Sequence, residues 1–150
     1  MMVKISVTVL YFFIAIFFSE LYAQSSNIQA DKYFEIANKY FDKNDYSNAI
    51  LYYDSTIYAN TEHVEAYAFR GICRFELKEF EEAIKDFDFA IMLAPGYAEV
   101  FYYRGIAKFE LGYKEKACND WFDSYNFGFK KALKIIEKNC KDVFKEKSKK

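Results

Sequence analysis

The sequence predicts an all-α protein: three antiparallel helix hairpins stacked in a row and closed by a C-terminal capping helix. Three observations carry that reading. Apolar residues recur at three- and four-residue steps, the period of a helix. A stretch of about 34 residues is written three times in register. Pro95 is the single proline in 150 residues, so the strongest helix breaker is nearly absent.

The chain opens on a segment that reads as an address. Lys4 precedes the 14-residue apolar run Ile5–Phe18, and the small residue Ala23 stands just before Gln24. This is the layout of a secretory signal peptide over residues 1–23, and the run is short for a membrane span. The reading is of an exported protein, periplasmic or secreted, with a retained N-terminal anchor as the alternative. After cleavage no membrane contact is expected, and export would place the cysteines in an oxidising space. A short linker, residues 24–29, follows.

The repeats come next, over residues 30–63, 64–97 and 98–128. Phe69–Leu77 and Tyr103–Leu111 agree at six of nine places, one repeat apart. Ala37, Gly71 and Gly105 fall in register, as do Ala49, Ala83 and Ala117. So do the aromatics Tyr53, Phe87 and Trp121. In the second copy Tyr67, Gly71 and Phe75 stack at four-residue steps, then Phe80, Ala83, Ile84 and Phe87 follow the three-four pattern. A break near Lys78 separates these runs, so each copy is a pair of helices. Small residues let the paired helices approach closely, and the large ring opposite fills the gap that remains.

The 34-residue period, the small–small–aromatic order and Pro95 resemble the tetratricopeptide repeat, here in the guise of a small exported bacterial protein. The resemblance covers about residues 30–128 and implies an α-solenoid whose first helices line a concave surface. In that family such a surface binds a peptide or a partner helix. Matched positions imply a partner-binding groove of Phe34, Asn38, Phe41, Ile72, Phe75, Tyr102, Ile106 and Phe109, with Asp42, Glu76 and Glu110 as an acidic edge. Phe75 and Phe109 can equally turn inward and pack between repeats. The lysine and asparagine set that clamps a terminal carboxylate in some members is mostly missing, with only Asn38 matching.

Arg70 and Arg104 stand where leucine is commonest in the family, and Asp86 and Asp120 precede the key aromatics. Copy one has Ile36 and Tyr52 at these places. Charge is present at both positions or at neither, so Arg70 is expected to pair with Asp86 and Arg104 with Asp120, as structural ion pairs.

Residues 129–144 read as an amphipathic capping helix with Leu133, Ile136, Cys140 and Phe144 on one stripe, ahead of a basic tail at 145–150. If this helix folds back about residues 127–128, Cys118 faces Cys140 and a disulfide can form. Two independent buried thiols are the other reading.

Charge is uneven: residues 130–150 carry nine lysines against three acids, whereas residues 24–129 carry 11 basic and 18 acidic residues. The acidic body argues against nucleic acid as a partner. Catalytic patterns are lacking. His63 is the one histidine, and no metal-binding spacing or glycine-rich phosphate loop occurs, so neither an enzyme, a metal nor a cofactor is expected. Function therefore points to a scaffold or adaptor that binds a protein segment. The alternative is a self-assembling subunit of an envelope complex that uses the solenoid ends, so a homo-oligomer is possible.

Overall fold

Residues 7–141 and 143 are described by a computed structural model, with side chains from residue 11 onward. Seven helices follow in order: α1 (Val7–Phe41), α2 (Tyr46–Ala59), α3 (Val64–Glu76), α4 (Phe80–Leu93), α5 (Ala98–Glu110), α6 (Lys114–Asn126) and α7 (Ala132–Asn139). They pair as hairpins α1/α2, α3/α4 and α5/α6, and α7 closes the far end.

The turn inside each hairpin is the same device. Asn44, Lys78 and Gly112, each one repeat from the next, sit at φ of 59°, 68° and 82°. A left-handed residue after the last helical turn lets the next N–H reach back along the helix. Asp45 N–H donates to the Tyr40 carbonyl (3.0 Å), Glu79 to Arg74 (2.8 Å) and Tyr113 to Lys108 (2.9 Å). These bonds satisfy carbonyls that the helix end would leave unpaired.

The small stations do the work expected of them. Ala37, Ala49, Ala83, Ala117, Tyr53, Phe87 and Trp121 are all fully buried. A Cβ added to Gly71 would lie 2.6 Å from Phe87 Cε1, so only glycine admits that ring. Three apolar clusters result, and each borrows from its neighbour. The first hairpin's cluster includes Ala66 and Cys73 of α3, and the second's includes Val100 of α5. Cohesion thus passes from one repeat to the next, as in solenoids.

In the cap, α7 spans Ala132–Asn139. Its inward stripe is Ala132, Ile136 and Cys140, whereas Leu133 is 42% exposed. Ala132 lies a full turn before Ile136 and takes the inward place, so Leu133 is carried round to solvent. Phe144 and the basic tail lie outside the described residues, as do residues 1–6. Cys118 and Cys140 are joined by a disulfide across Cα atoms 5.7 Å apart.

At the other end α1 runs without a break from the apolar segment into the first repeat, so the Ala23–Gln24 junction lies inside a helix. The apolar surface of the first hairpin is largely covered. Phe34, Tyr40 and Ile50 are half-buried around Ala37 and Tyr53.

Candidate partner-binding groove

The C-terminal part of α1, then α3 and α5, form one face of the array, and their side chains meet in a pocket of about 180 Å3. Phe41, Phe69, Ile72, Tyr103 and Val100 form its walls, and Glu99 is its one charged lining residue. Phe69 makes edge contacts with Phe41 (5.4 Å) and Phe34 (5.9 Å). Tyr103 stacks 6.4 Å from Phe87, which ties the pocket wall to the core of the second hairpin.

Of the residues expected in the groove, Phe41 and Ile72 line this pocket. Phe34 leans on Tyr53 (5.7 Å) and on the His63 ring (4.6 Å). Asn38 is engaged internally, because its side-chain oxygen accepts a 2.7 Å hydrogen bond from the Tyr53 hydroxyl. Tyr102 packs on Phe129 (5.1 Å), and Ile106 is half-buried against the cluster under the cap. Phe109 turns toward Trp121 of its own hairpin (5.6 Å), whereas Phe75 sits between Phe80 (5.5 Å) and Tyr103 of the next repeat (6.5 Å).

Five contributors to this face escaped sequence reasoning: Phe69, Tyr97, Glu99, Val100 and Tyr103. A signal existed, since Phe69 and Tyr103 share a register, as do Asp31, Glu65 and Glu99. These three acids, and Asp42, Glu76 and Glu110 at the opposite helix ends, are all exposed. The field of Glu65, Glu76 and Glu99 reaches the pocket tyrosines. Burial pushes the Tyr97 hydroxyl up in pKa, and Glu99 and Glu65 add to the effect. Burial likewise raises Tyr103, followed by Glu99, Tyr102 and Glu76.

His63 caps α3, its Nδ1 accepting from Ala66 N–H at 3.3 Å, with Glu65 3.5 Å and Asp31 3.9 Å from the ring nitrogens. No group of His, Cys, Asp and Glu able to hold a metal occurs among the described residues. The free thiol of Cys73 is buried, and burial pushes its pKa up to about 12. Such a thiol is a poor nucleophile at neutral pH.

On another face runs a spine of charge. Arg70 grips Asp86 through Nε (3.0 Å) and Nη2 (2.5 Å) and reaches back to Asp54 of the first hairpin through Nη1 (2.6 Å). Arg74 adds a 2.7 Å bond to Asp86. The next repeat copies this, with Arg104 on Asp120 (3.0 and 2.7 Å) and on Asp88, and Lys108 on Asp120 (2.8 Å). Arg70 and Arg104 therefore each join their own hairpin to the preceding one. Where copies two and three carry this triad, copy one stacks Tyr40 on Tyr52 at 5.3 Å and 10°.

Solved structures share the arrangement. The first tetratricopeptide domain of Spaghetti (RPAP3), bound to the HSP90 peptide SRMEEVD, superposes with a TM-score of 0.74 at 26% identity. The match covers 78% of this chain and 94% of that one. The second such domain of human RPAP3, in complex with the HSP70 peptide SGPTIEEVD, gives 0.70 at 27% identity, covering 79% and 98%. The chain has the fold of a tetratricopeptide-type α-solenoid. The Arabidopsis OM64 tetratricopeptide domain adds the same fold at 21% identity and a TM-score of 0.72, covering 75% and 94%. No protein-family model matches the sequence, and no curated protein is significantly similar to it.

Export needs correcting in this light. The solved structures similar in shape include tetratricopeptide domains seen with HSP90 and HSP70 peptides, and these give no support to a periplasmic or secreted protein. Among the described residues no helix is long and apolar enough to cross a membrane. The described part of the segment that reads as an export address, from Val7 onward, is unbroken helix with the first repeat. Hydropathy and a small residue at Ala23 could not reveal that continuity.

Proposed function

We propose that this chain is a non-enzymatic protein–protein interaction module that holds a segment of a partner protein across the face of α1, α3 and α5. The pocket between Phe69, Ile72 and Tyr103 carries the reading, because it is an apolar concavity on the face shared by the first helices, and domains of this shape are solved with peptides bound. Within this reading the repeats are residues 30–63, 64–97 and 98–128, and residues 129–144 form the cap. The groove set of Phe34, Asn38, Phe41, Ile72, Phe75, Tyr102, Ile106 and Phe109 is then extended by Phe69, Glu99 and Tyr103. Affinity capture with wild type and an Ile72→Asp/Tyr103→Ala variant tests it. Proteins recovered by the wild type and lost by a folded variant support the groove, and identical recovery rejects it.

Self-association is a second reading, favoured by the exposed apolar side chains between Tyr11 and Tyr22. Light scattering across a concentration series decides it, and a monomer throughout would dismiss it.

A further inference from the structure

We infer that the groove selects a cationic segment: a lysine or arginine of a partner protein lays its stem against Ile72 and Tyr103 and its charge beside Glu99. This rests on the groove reading above and names the chemistry of its occupant.

Three observations converge. First, the apolar pocket has one charged wall residue, Glu99, set among aromatic rings. A long aliphatic stem ending in a cation fits such a site, since the stem buries on the rings while the head meets carboxylate and π-face together.

Second, carboxylates recur in two rows, each in register from repeat to repeat: Asp31, Glu65 and Glu99, then Asp42, Glu76 and Glu110, with Asp31 inside α1 rather than at its start. Glu65 and Glu99 lie in the first turns of α3 and α5, where the helix dipole favours them. Glu76 and Glu110 are the last residues of α3 and α5, and Asp42 follows the last residue of α1. There the dipole opposes a negative charge. Helix stability thus explains Glu65 and Glu99 and not the second row. Among the described residues Asp42, Glu76, Glu99 and Glu110 form no ion pair, so their charge is uncompensated from within.

Third, the peptides on the similar domains, SRMEEVD and SGPTIEEVD, end in acids. Such a sequence brought to this face meets carboxylates of both rows, and the one matching amide, Asn38, is held by Tyr53. The electrostatic preference is therefore reversed.

The test probes an array of random nine-residue peptides with the labelled full chain at low and high salt, with SRMEEVD included as a spot. Enrichment of Lys or Arg over Asp or Glu among bound peptides is expected, with signal falling at least fivefold between 50 and 500 mM NaCl. A Glu76→Gln/Glu99→Gln variant should lose the Lys/Arg enrichment while still binding apolar sequences. Circular dichroism confirms that this variant folds. Enrichment of acids, binding of SRMEEVD, or apolar peptides bound without charge preference overturns the inference and leaves groove binding standing. An array without bound peptides overturns both.

Discussion

The Cβ that Gly105 lacks would stand 2.5 Å from Nε1 of Trp121. That indole N–H donates to the Tyr102 carbonyl at 3.2 Å, so the ring is held both by packing and by its one polar atom. Gly105→Ala should therefore destabilise by about 1–3 kcal/mol through overpacking. Gly96→Ala, where no atom lies within 4 Å of the added carbon, should be close to neutral. Urea unfolding of the two variants makes the comparison, and equal midpoints would show that the glycine station is not tight.

The buried triad of Arg70, Arg74 and Asp86 invites a transplant. Asp86→Ala takes the shared carboxylate from two largely buried guanidinium groups, leaving Arg70 only Asp54, and should cost about 3 kcal/mol. Replacing all three with their first-repeat counterparts, as Arg70→Ile/Arg74→Tyr/Asp86→Tyr, restores a stacked pair in place of buried charge. The triple variant should lie within about 1 kcal/mol of wild type or above it. Thermal denaturation of both variants checks this, and a triple variant weaker than Asp86→Ala alone would refute it.

Cys73 makes stability depend on alkaline pH. Its ordinary thiol pKa of 9.0 is raised to about 12 in the folded chain. Between these values the unfolded chain releases a proton that the folded chain keeps, so stability falls as pH rises. The loss is up to about 1.4 kcal/mol per pH unit. Cys73→Ala, the residue that copy three carries as Ala107, should flatten this limb. Denaturant midpoints at pH 8, 10 and 11 read it out, and parallel curves for wild type and variant would disprove the assignment.

Opening the Cys118–Cys140 bond frees a loop of 22 residues and should cost about 3 kcal/mol on the chain-entropy model. The loss should concentrate at α7, because Ile136 and Cys140 cover the end of α6 beside Trp121. Hydrogen exchange of a Cys118→Ser/Cys140→Ser variant is expected to speed up at residues 132–139 first. The single tryptophan offers a second readout through its emission. Uniform loss of protection across all three hairpins would contradict a local clasp.

Helix pairing was legible because it depends on spacing along the chain. The alanine and glycine stations, the rings opposite them and the left-handed turn at Lys78 all recur once in each copy, and a repeat is visible in one dimension. Half of the charge spine could be read the same way, since Arg70 and Asp86 vary together with Arg104 and Asp120. The legs to Asp54 and Asp88 could not, because they cross between hairpins.

The sequence alone thus determined the period, the small-against-large pairing within each hairpin and the terminal cap, all local consequences of 3.6 residues per turn. Only the tertiary structure decided that Phe69, Tyr97, Glu99 and Tyr103 converge on one pocket, that Leu133 faces solvent, and that residues 7–41 form one helix. The first of these depends on how neighbouring hairpins rotate against one another. That rotation comes from the summed contacts of side chains far apart in sequence, which no spacing rule encodes.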